Sequence, residues 1–338
     1  LLAALGVETV PVRAKPRVGI VSTGDELVRP GGEVSHRAGQ IYDVNSYAVA
    51  AAVRDAGGEP VMYPHAGDDY DELERVLRDA ADDCDLVLSS GSTSASAVDV
   101  VYQVVEDRGE LLLHGVSVKP GKPMLVGEMR GAAGGDEPDA ADASPSAYIG
   151  LPGYPVSALT IFRAFVAPKI RDAAGLPAPR SATVTGEMAV RERYGQGRTR
   201  LMPVGLVESG DGSTLVYPVD KGSGATTSLV EADGIVTVDA DTEYLEAGEQ
   251  VSVELFSDDV RPPSVLVVGE RDPGFDRVLD RLPNPRFLGL GSREGARRLR
   301  DGVPDVAVTT DDSGEARNSS RGPRQWGLVV PAGNPLAV

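Results

Sequence analysis

The sequence predicts an α/β protein: a three-layer domain with a largely parallel sheet, then a small β-barrel, then a further, partial α/β domain. Three observations predict this. Short apolar runs alternate with amphipathic helical stretches from residue 17 to residue 174, the pattern of βα units wound around a parallel sheet. From residue 182 the period changes to short strands separated by Gly and Asp turns, which suits a barrel of about eighty residues. Two proline-bearing linkers, at 176–179 and at Arg261-Pro262-Pro263, separate these stretches.

In chain order, residues 1–16 read as a connector: a short apolar helix end followed by Pro11 and Pro16. A strand is expected over 17–22, a helix over 44–56 ended by Gly57-Gly58, and a strand over 60–63. Over 70–81, Leu73, Val76, Leu77 and Ala80 fall on one helical face. A strand over 85–89, a helix over 98–107 and a strand over 111–114 follow. Strands at 124–126 and 148–151 flank a surface loop at 131–146 rich in Ala, Asp, Gly and Pro, and one long helix is expected over 155–174. Barrel strands are expected at 182–184, 201–206, 214–218, 234–238 and 250–255, and a strand at 264–269 restarts the α/β alternation. The domains expected are therefore 17–175, 180–258 and an incomplete 264–338.

Composition narrows the function classes. With 41% hydrophobic residues the chain can bury cores, and its single cysteine, Cys84, rules out an internal disulfide framework and suits a reducing, cytoplasmic setting. The longest apolar stretch, 158–170, is interrupted by Arg163 and Lys169, so no membrane span is expected. The start lacks both an initiator Met and the basic opening of a signal peptide, so the chain reads as part of a longer protein. The formal net charge is −18, and only five of the 33 basic residues are lysines. Such a surface argues against a nucleic-acid partner, which needs basic stripes, and resembles that of proteins from high-salt cytoplasms. Stability is accordingly expected to rise with salt as like charges are screened; thermal melts across a KCl series check this.

Five segments could carry chemistry. Ser22-Thr23-Gly24-Asp25-Glu26-Leu27 follows the first strand, where ligands of open α/β sheets bind, and would suit a polar ligand, Mg²⁺ or an ordinary solvated turn. Gln40-Ile41-Tyr42-Asp43-Val44-Asn45-Ser46-Tyr47 opens a helix, with Asp43 or Asn45 as its cap. Leu88-Ser89-Ser90-Gly91-Ser92-Thr93-Ser94 offers hydroxyls and amides to a phosphate or is a plain connector; Asp99 beyond it could be a metal ligand, a base or a cap. Lys119-Pro120-Gly121-Lys122-Pro123 is a rigid turn with two cations, the best anion contact in so acidic a chain or else a solvated turn. In Leu151-Pro152-Gly153-Tyr154-Pro155-Val156-Ser157-Ala158-Leu159, a tight turn leads into a helix with Pro155 at its first position. His36, His65 and His114 lack metal-ligand spacing, and Trp326 reads as core.

In this order and spacing, Thr-Gly-Asp-Glu-Leu, Gln-Ile-Tyr-Asp…Asn-Ser, Lys-Pro-Gly-Lys-Pro and Leu-Pro-Gly-Tyr-Pro-Val-Ser-Ala-Leu resemble the molybdopterin molybdenumtransferases. These are the MoeA-like proteins, related to the gephyrin E domain, and the resemblance covers residues 1–258. It implies a MogA-like molybdopterin-binding fold and Mg²⁺-dependent ligation of molybdate to the dithiolene of adenylylated molybdopterin, with loss of AMP. It also implies a homodimer in the full-length protein. Residue by residue, it places catalytic acids at Glu26, Asp69 and Asp99, and metal ligands at Asp68, Asp69 and Asp99. It places ligand contacts at Thr23, Gly24, Asp25, Ser90, Gly91, Ser92, Thr93, Lys119, Pro120, Gly121, Lys122, Pro123, Gly153, Tyr154, Pro155 and Ser157, with Ser228 in a serine-bearing barrel loop.

Two departures stand out. The loop Ser90-Gly91-Ser92-Thr93-Ser94-Ala95-Ser96 lacks the glycines usual in the family, and the amino-terminal domains that help close the family's site across a dimer have no counterpart here. From Ser264 the chain is similar to a substrate-binding-like domain appended to some archaeal members. Two other functions remain open at this point: molybdopterin adenylylation, and a non-catalytic pterin or oxyanion sensor.

Overall fold

A computed structural model of the protein describes residues 1–91, 95–132, 145–179, 182–209, 212–219, 230–309 and 327–329, with the backbone alone at 95–99 and 327–329. The chain divides into two compact units, the first built on Leu1–Arg180 and the second on the residues after it.

In the first unit, after a 3₁₀ turn at Ala3–Leu5, the elements run β1 (Arg17–Thr23), β2 (Leu27–Val28), β3 (Ile41–Tyr42), α1 (Asn45–Asp55), β4 (Glu59–Met62), α2 (Tyr70–Asp83) and β5 (Leu86–Gly91). They continue as α3 (Ala95–Arg108), β6 (Gly109–His114), β7 (Val118–Lys119), β8 (Leu125–Met129), β9 (Ser146–Leu151), α4 (Pro155–Ile161) and α5 (Ala167–Ala173). The main sheet has the order β4-β1-β5-β9-β8-β6; its first four strands are parallel, and β8 runs against both neighbours.

The sheet is covered on both faces because alternate strand residues are apolar on both sides. Val18, Ile20 and Leu88 pack with Val49, Val53, Ile161 and Ile170 of α1, α4 and α5. Val21 and Val87 face the other way, onto Leu73, Val76 and Leu77 of α2 and Val101, Val104 and Val105 of α3. This is the expected three-layer α/β architecture.

The expected single helix over 155–174 is not one regular helix. A π-helical turn, Phe162–Val166, separates α4 from α5. Pro168, in the first turn of α5, supplies the reason: it has no N–H to donate and its ring crowds the carbonyl four residues back, so the α ladder cannot run through. Helix α3 starts at Ala95 rather than at 98, and β8 extends to Met129 rather than stopping at 126, because Glu128 and Gly127 stay in the ladder opposite Glu110 and Leu111.

In the second unit, β10 (Thr183–Met188), β11 (Glu192–Arg193), β12 (Thr199–Glu208), β13 (Thr214–Pro218), β14 (Gly234–Val238), β15 (Tyr244–Leu245) and β16 (Gln250–Leu255) come first. Five of them close on themselves in the order β13-β10-β16-β14-β12, with β12 pairing back to β13. Closure removes sheet edges and makes this a five-stranded barrel. Inward residues at period two, Met202, Val204 and Leu206 on β12 and Val251, Val253 and Leu255 on β16, fill it. Two strands run longer than expected: β10 continues to Met188 through Thr185, Gly186 and Glu187, and β12 to Glu208 through the buried Val207, and these positions still pair.

A further α/β region follows: β17 (Val265–Gly269), the helix Pro273–Leu279, β18 (Pro285–Leu288), the helix Ser292–Arg300, β19 (Val306–Thr309) and β20 (Gly327–Val329). Here β18, β17 and β19 are parallel and β20 is antiparallel. Among the described residues no helix is long and apolar enough to cross a membrane.

Candidate functional site

Three loops leave the same edge of the parallel strands. The register sets Thr23 of β1 beside Gly91 of β5, and Ser90 beside Leu151 of β9, so residues 23–26, 89–91 and 152–157 start side by side. This is the carboxyl edge, where open α/β sheets bind ligands. The strands can approach so closely there because Gly91 lacks a side chain: a Cβ would lie 1.7 Å from the Thr23 carbonyl oxygen.

A buried polar network holds the edge together. Asp43, just before α1, is 5% exposed. Its carboxylate accepts from the hydroxyls of Ser22 and Ser46 and from the Ser46 backbone N–H at 3.1 Å. It therefore caps α1, as expected, and also ties that helix to the end of β1. Asn45, named in the sequence only as a possible cap, lies inside the helix and does something else. Its Nδ2 donates to Ser90 Oγ at 2.9 Å and to the Gly153 carbonyl at 2.7 Å, joining two of the three loops. Behind them the buried Tyr148 and Ser89 hydroxyls pair, and burial pushes the Tyr148 phenol far up.

Acidic groups gather at the β1 end. The Gly24 N–H donates to the Ala66 carbonyl at 3.2 Å, and His65 Nε2 donates to the Gly24 carbonyl at 2.6 Å, so the segment after β4 lies alongside residues 23–26. Gly24 has φ +115, and a Cβ there would meet the Glu26 carboxylate at 2.5 Å; only glycine allows that carboxylate to fold back over the loop. The Asp68 N–H donates to Asp25 Oδ1 at 3.3 Å. Asp68 Oδ1 is buried with no hydrogen-bond partner among the described residues, and the Asp68 pKa is raised by burial first and then by Asp25 and Glu26. Asp69 is placed differently from its neighbour: its Oδ1 accepts the Glu72 N–H at 3.0 Å and caps α2.

The lysine turn is fixed to α4. Gly121 has φ +117, and a Cβ there would overlap Ile161 at 2.2 Å, so the turn lies directly on that buried side chain. Backbone bonds close it: Val116 N–H to the Lys122 carbonyl at 2.9 Å and Met124 N–H to the Gly121 carbonyl at 3.2 Å. The Lys119-Pro120 bond is cis, and Lys122 and Pro123 are exposed. Helix α4 opens with Pro155 in its first turn, while Ser157 is buried and Tyr154 is half-exposed.

The structure thus brings together Thr23, Gly24, Asp25, Glu26, Asp68, Ser90, Gly91 and Gly153, and anchors residues 119–123 on the helix that starts at Pro155. Ser92, Thr93 and Ser228 lie outside the described residues, as do the Asp99 side chain and Trp326. His36 lies on a 3₁₀ turn between β2 and β3; His114 ends β6 in register with Leu125 and Gly150, at the far end of the sheet from β1, with its ring against Tyr102; and Cys84 is buried beside the Tyr63 hydroxyl. Among the described residues no group of three or more His, Cys, Asp or Glu side chains is arranged to hold a metal ion.

Two family models match the chain. Residues 19–172 match the family described as probable molybdopterin binding domain, and residues 185–256 match the MoeA C-terminal region, domain IV. A molybdopterin molybdenumtransferase 2 of Mycobacterium tuberculosis is 34% identical over 265 residues, which take in 75% of this chain and 60% of that protein. A molybdopterin molybdenumtransferase of Nostoc is 30% identical over 261 residues, covering 75% of this chain and 56% of that one. The crystal structure of a MoeA molybdopterin-biosynthesis protein from Pyrococcus horikoshii superposes with a TM-score of 0.61 at 35% identity, over 76% of this chain and 58% of that chain. The chain therefore spans about 60% of the length of the curated relatives it matches. The chain thus carries a molybdopterin-binding region followed by a MoeA C-terminal region, in the order that the MoeA-like molybdopterin molybdenumtransferases it resembles have them, with the sheet-edge motifs converging on one site.

Proposed function

We propose that this chain inserts molybdenum into the pterin cofactor: it binds adenylylated molybdopterin at the carboxyl edge of the first unit's sheet, molybdate is ligated by the dithiolene sulfurs, and AMP leaves as water cleaves the phosphoanhydride that joins it to the pterin phosphate. The observation that carries this is the convergence of residues 23–26, 89–91 and 152–157 on one edge, bridged by Asn45. Hydroxyls and backbone amides at strand ends and at the start of α4 suit a phosphate-bearing anion. In a chain of net charge −18, Lys119 and Lys122 supply cationic contacts beside that helix.

The acids at the β1 end need a counter-charge when an anion binds nearby. Asp68, with its buried unpartnered oxygen, and Glu26 fit a Mg²⁺ ion in the usual mode, one or two carboxylates with water and substrate phosphates completing the shell. Bound there, the ion would neutralise phosphate charge and polarise the adenylate linkage. Asp69, used as the α2 cap, would act by holding Asp68 in place rather than as a ligand. The Ser90 and Gly153 loops would orient the pterin end, and Gly24 lets the Glu26 carboxylate stand over the ligand's edge.

The cation site has a signature independent of turnover. Because the fold raises the Asp68 pKa, ionising it costs stability as pH rises from the ordinary carboxylate range through the folded value. Asp68→Asn should therefore raise the melting temperature at neutral pH without divalent cation, and Mg²⁺ should stabilise the parent protein but not the variant. Equal Mg²⁺ shifts in thermal melts of both proteins would place the ion elsewhere.

The lysine turn has its own test. Lys122→Ala should leave the melt unchanged, since the side chain is exposed, and weaken binding of adenylylated molybdopterin by about 1.5–3 kcal/mol in calorimetry. The whole reading is tested by supplying adenylylated molybdopterin and molybdate to the protein as its gene encodes it. Stoichiometric AMP and molybdenum-loaded pterin are expected; binding without AMP release would make it a sensor instead.

A further inference from the structure

The second unit contains a cavity of about 610 Å³ between the barrel and the α/β region that follows it. Four guanidiniums line it, Arg191 and Arg200 from the barrel and Arg297 and Arg298 from the helix Ser292–Arg300, against two carboxylates, Glu192 and Asp301. The lining itself presents more guanidiniums than carboxylates, and Glu246 and Glu294 pair with three of them from outside it, while Glu192 pairs with Arg200.

Each of the four guanidiniums is held by a neighbouring carboxylate, and Arg200 and Arg298 are also largely covered. Glu294 takes Nε and Nη2 of Arg297 at 3.0 and 2.7 Å and Nε of Arg298 at 3.0 Å. Those bonds, from Arg297 first, hold the Glu294 carboxyl at about 2, so it stays a charged anchor at any working pH. Arg298 is only 18% exposed and is held through Nε alone. Among the described residues its two terminal nitrogens have no hydrogen-bond partner, and both are strong paired donors. Arg191 is fixed likewise, with Nε 3.1 Å from Glu246 and its guanidinium stacked 4.1 Å above the Tyr244 ring. Anchoring by Nε and by stacking leaves the terminal nitrogens of both residues for a ligand, and planar forks of this kind match tetrahedral oxyanions bidentately. The volume falls within the range of small-ligand sites and is large enough for a mononucleotide.

We propose that this cavity is a second anion site, binding a tetrahedral oxyanion either free or as the phosphate of a nucleotide-sized ligand. It is separate from the sheet-edge site and does not depend on the function assigned there. The probes are inorganic phosphate, molybdate and AMP, titrated calorimetrically into the Lys122→Ala protein, in which the sheet-edge anion contact is weakened. Saturable binding of one ligand per chain is expected, and Arg298→Gln added to that background should weaken it about tenfold or more. AMP binding more tightly than the free ions would identify a nucleotide ligand; equal affinities would identify the free oxyanion. Arg191→Gln gives a second variant if Arg298→Gln lowers the melting temperature, because Arg191 is more exposed. Unchanged affinity in the arginine variants, or no saturation by any probe up to about 10 mM, would overturn the proposal.

Discussion

Gly121→Val is expected to destabilise the first unit by about 3–5 kcal/mol, since two costs add at one position. The backbone there has φ +117, a conformation that a β-branched residue adopts only under strain. The added carbon would also fall 2.2 Å from Ile161, which is fully buried in the core between the sheet and α4. Neither can yield cheaply: the turn is closed by backbone bonds on both sides, and Ile161 is packed among Val18, Leu88 and Phe162. Chemical denaturation of the parent and variant measures the difference. A loss under about 1 kcal/mol would show that the lysine turn is not seated on α4 as described.

Asp43→Ala should cost about 3–5 kcal/mol, because it leaves two hydroxyls and a backbone N–H without their shared acceptor in a buried site. Removing one donor instead, as in Ser22→Ala, should cost about 1–2 kcal/mol, since the carboxylate keeps its other two bonds. The ratio between the two identifies a network rather than a plain helix cap, whose loss typically costs about 1 kcal/mol. Equal small losses from both substitutions in urea denaturation would reduce Asp43 to that capping role.

Strand and helix identities were largely legible because their signals are local. The strands Thr214–Pro218, Gly234–Val238 and Gln250–Leu255 coincide with the period-two runs in the sequence, each bounded by Gly, Asp or Pro. Helix α2 follows from its apolar face and from Asp69 and Glu72, a cap with an acid three residues on. That same pattern signalled the structural role of Asp69, whereas the family likeness pointed to chemistry. The start of α3 at Ala95 was hidden because Ala95, Ser96 and Ala97 carry no apolar periodicity. The π turn before Pro168 was signalled by the proline itself.

The site was legible as motifs but not as connections. Each segment could be named from its residue types, yet the bonds from Asn45 to Ser90 and Gly153 span 45 and 108 positions of sequence and exist only because β1, β5 and β9 are neighbours. Asp68 is a similar case. The spacing of Asp69 and Glu72 marks the cap, but nothing in the sequence says that Asp68 is left with a buried, unpartnered oxygen beside Asp25 and Glu26. The arginine cavity of the second unit had no sequence signal, because its walls come from the barrel and from a helix about a hundred residues later.

If AMP is released at the carboxyl edge of the first sheet, as proposed, the charge of Glu26 is what the reaction needs there. Glu26→Gln, made in the protein as its gene encodes it, keeps the shape of a side chain that lies over Gly24 and removes only its charge. Affinity for adenylylated molybdopterin and AMP release in the presence of molybdate and Mg²⁺ are measured together, with the melting temperature as the check on folding. The expected result is a parental melt, affinity equal to or tighter than the parent's, and AMP release reduced by at least about a hundredfold. AMP released at the parental rate by the folded variant would contradict the assignment and move the chemistry away from this edge.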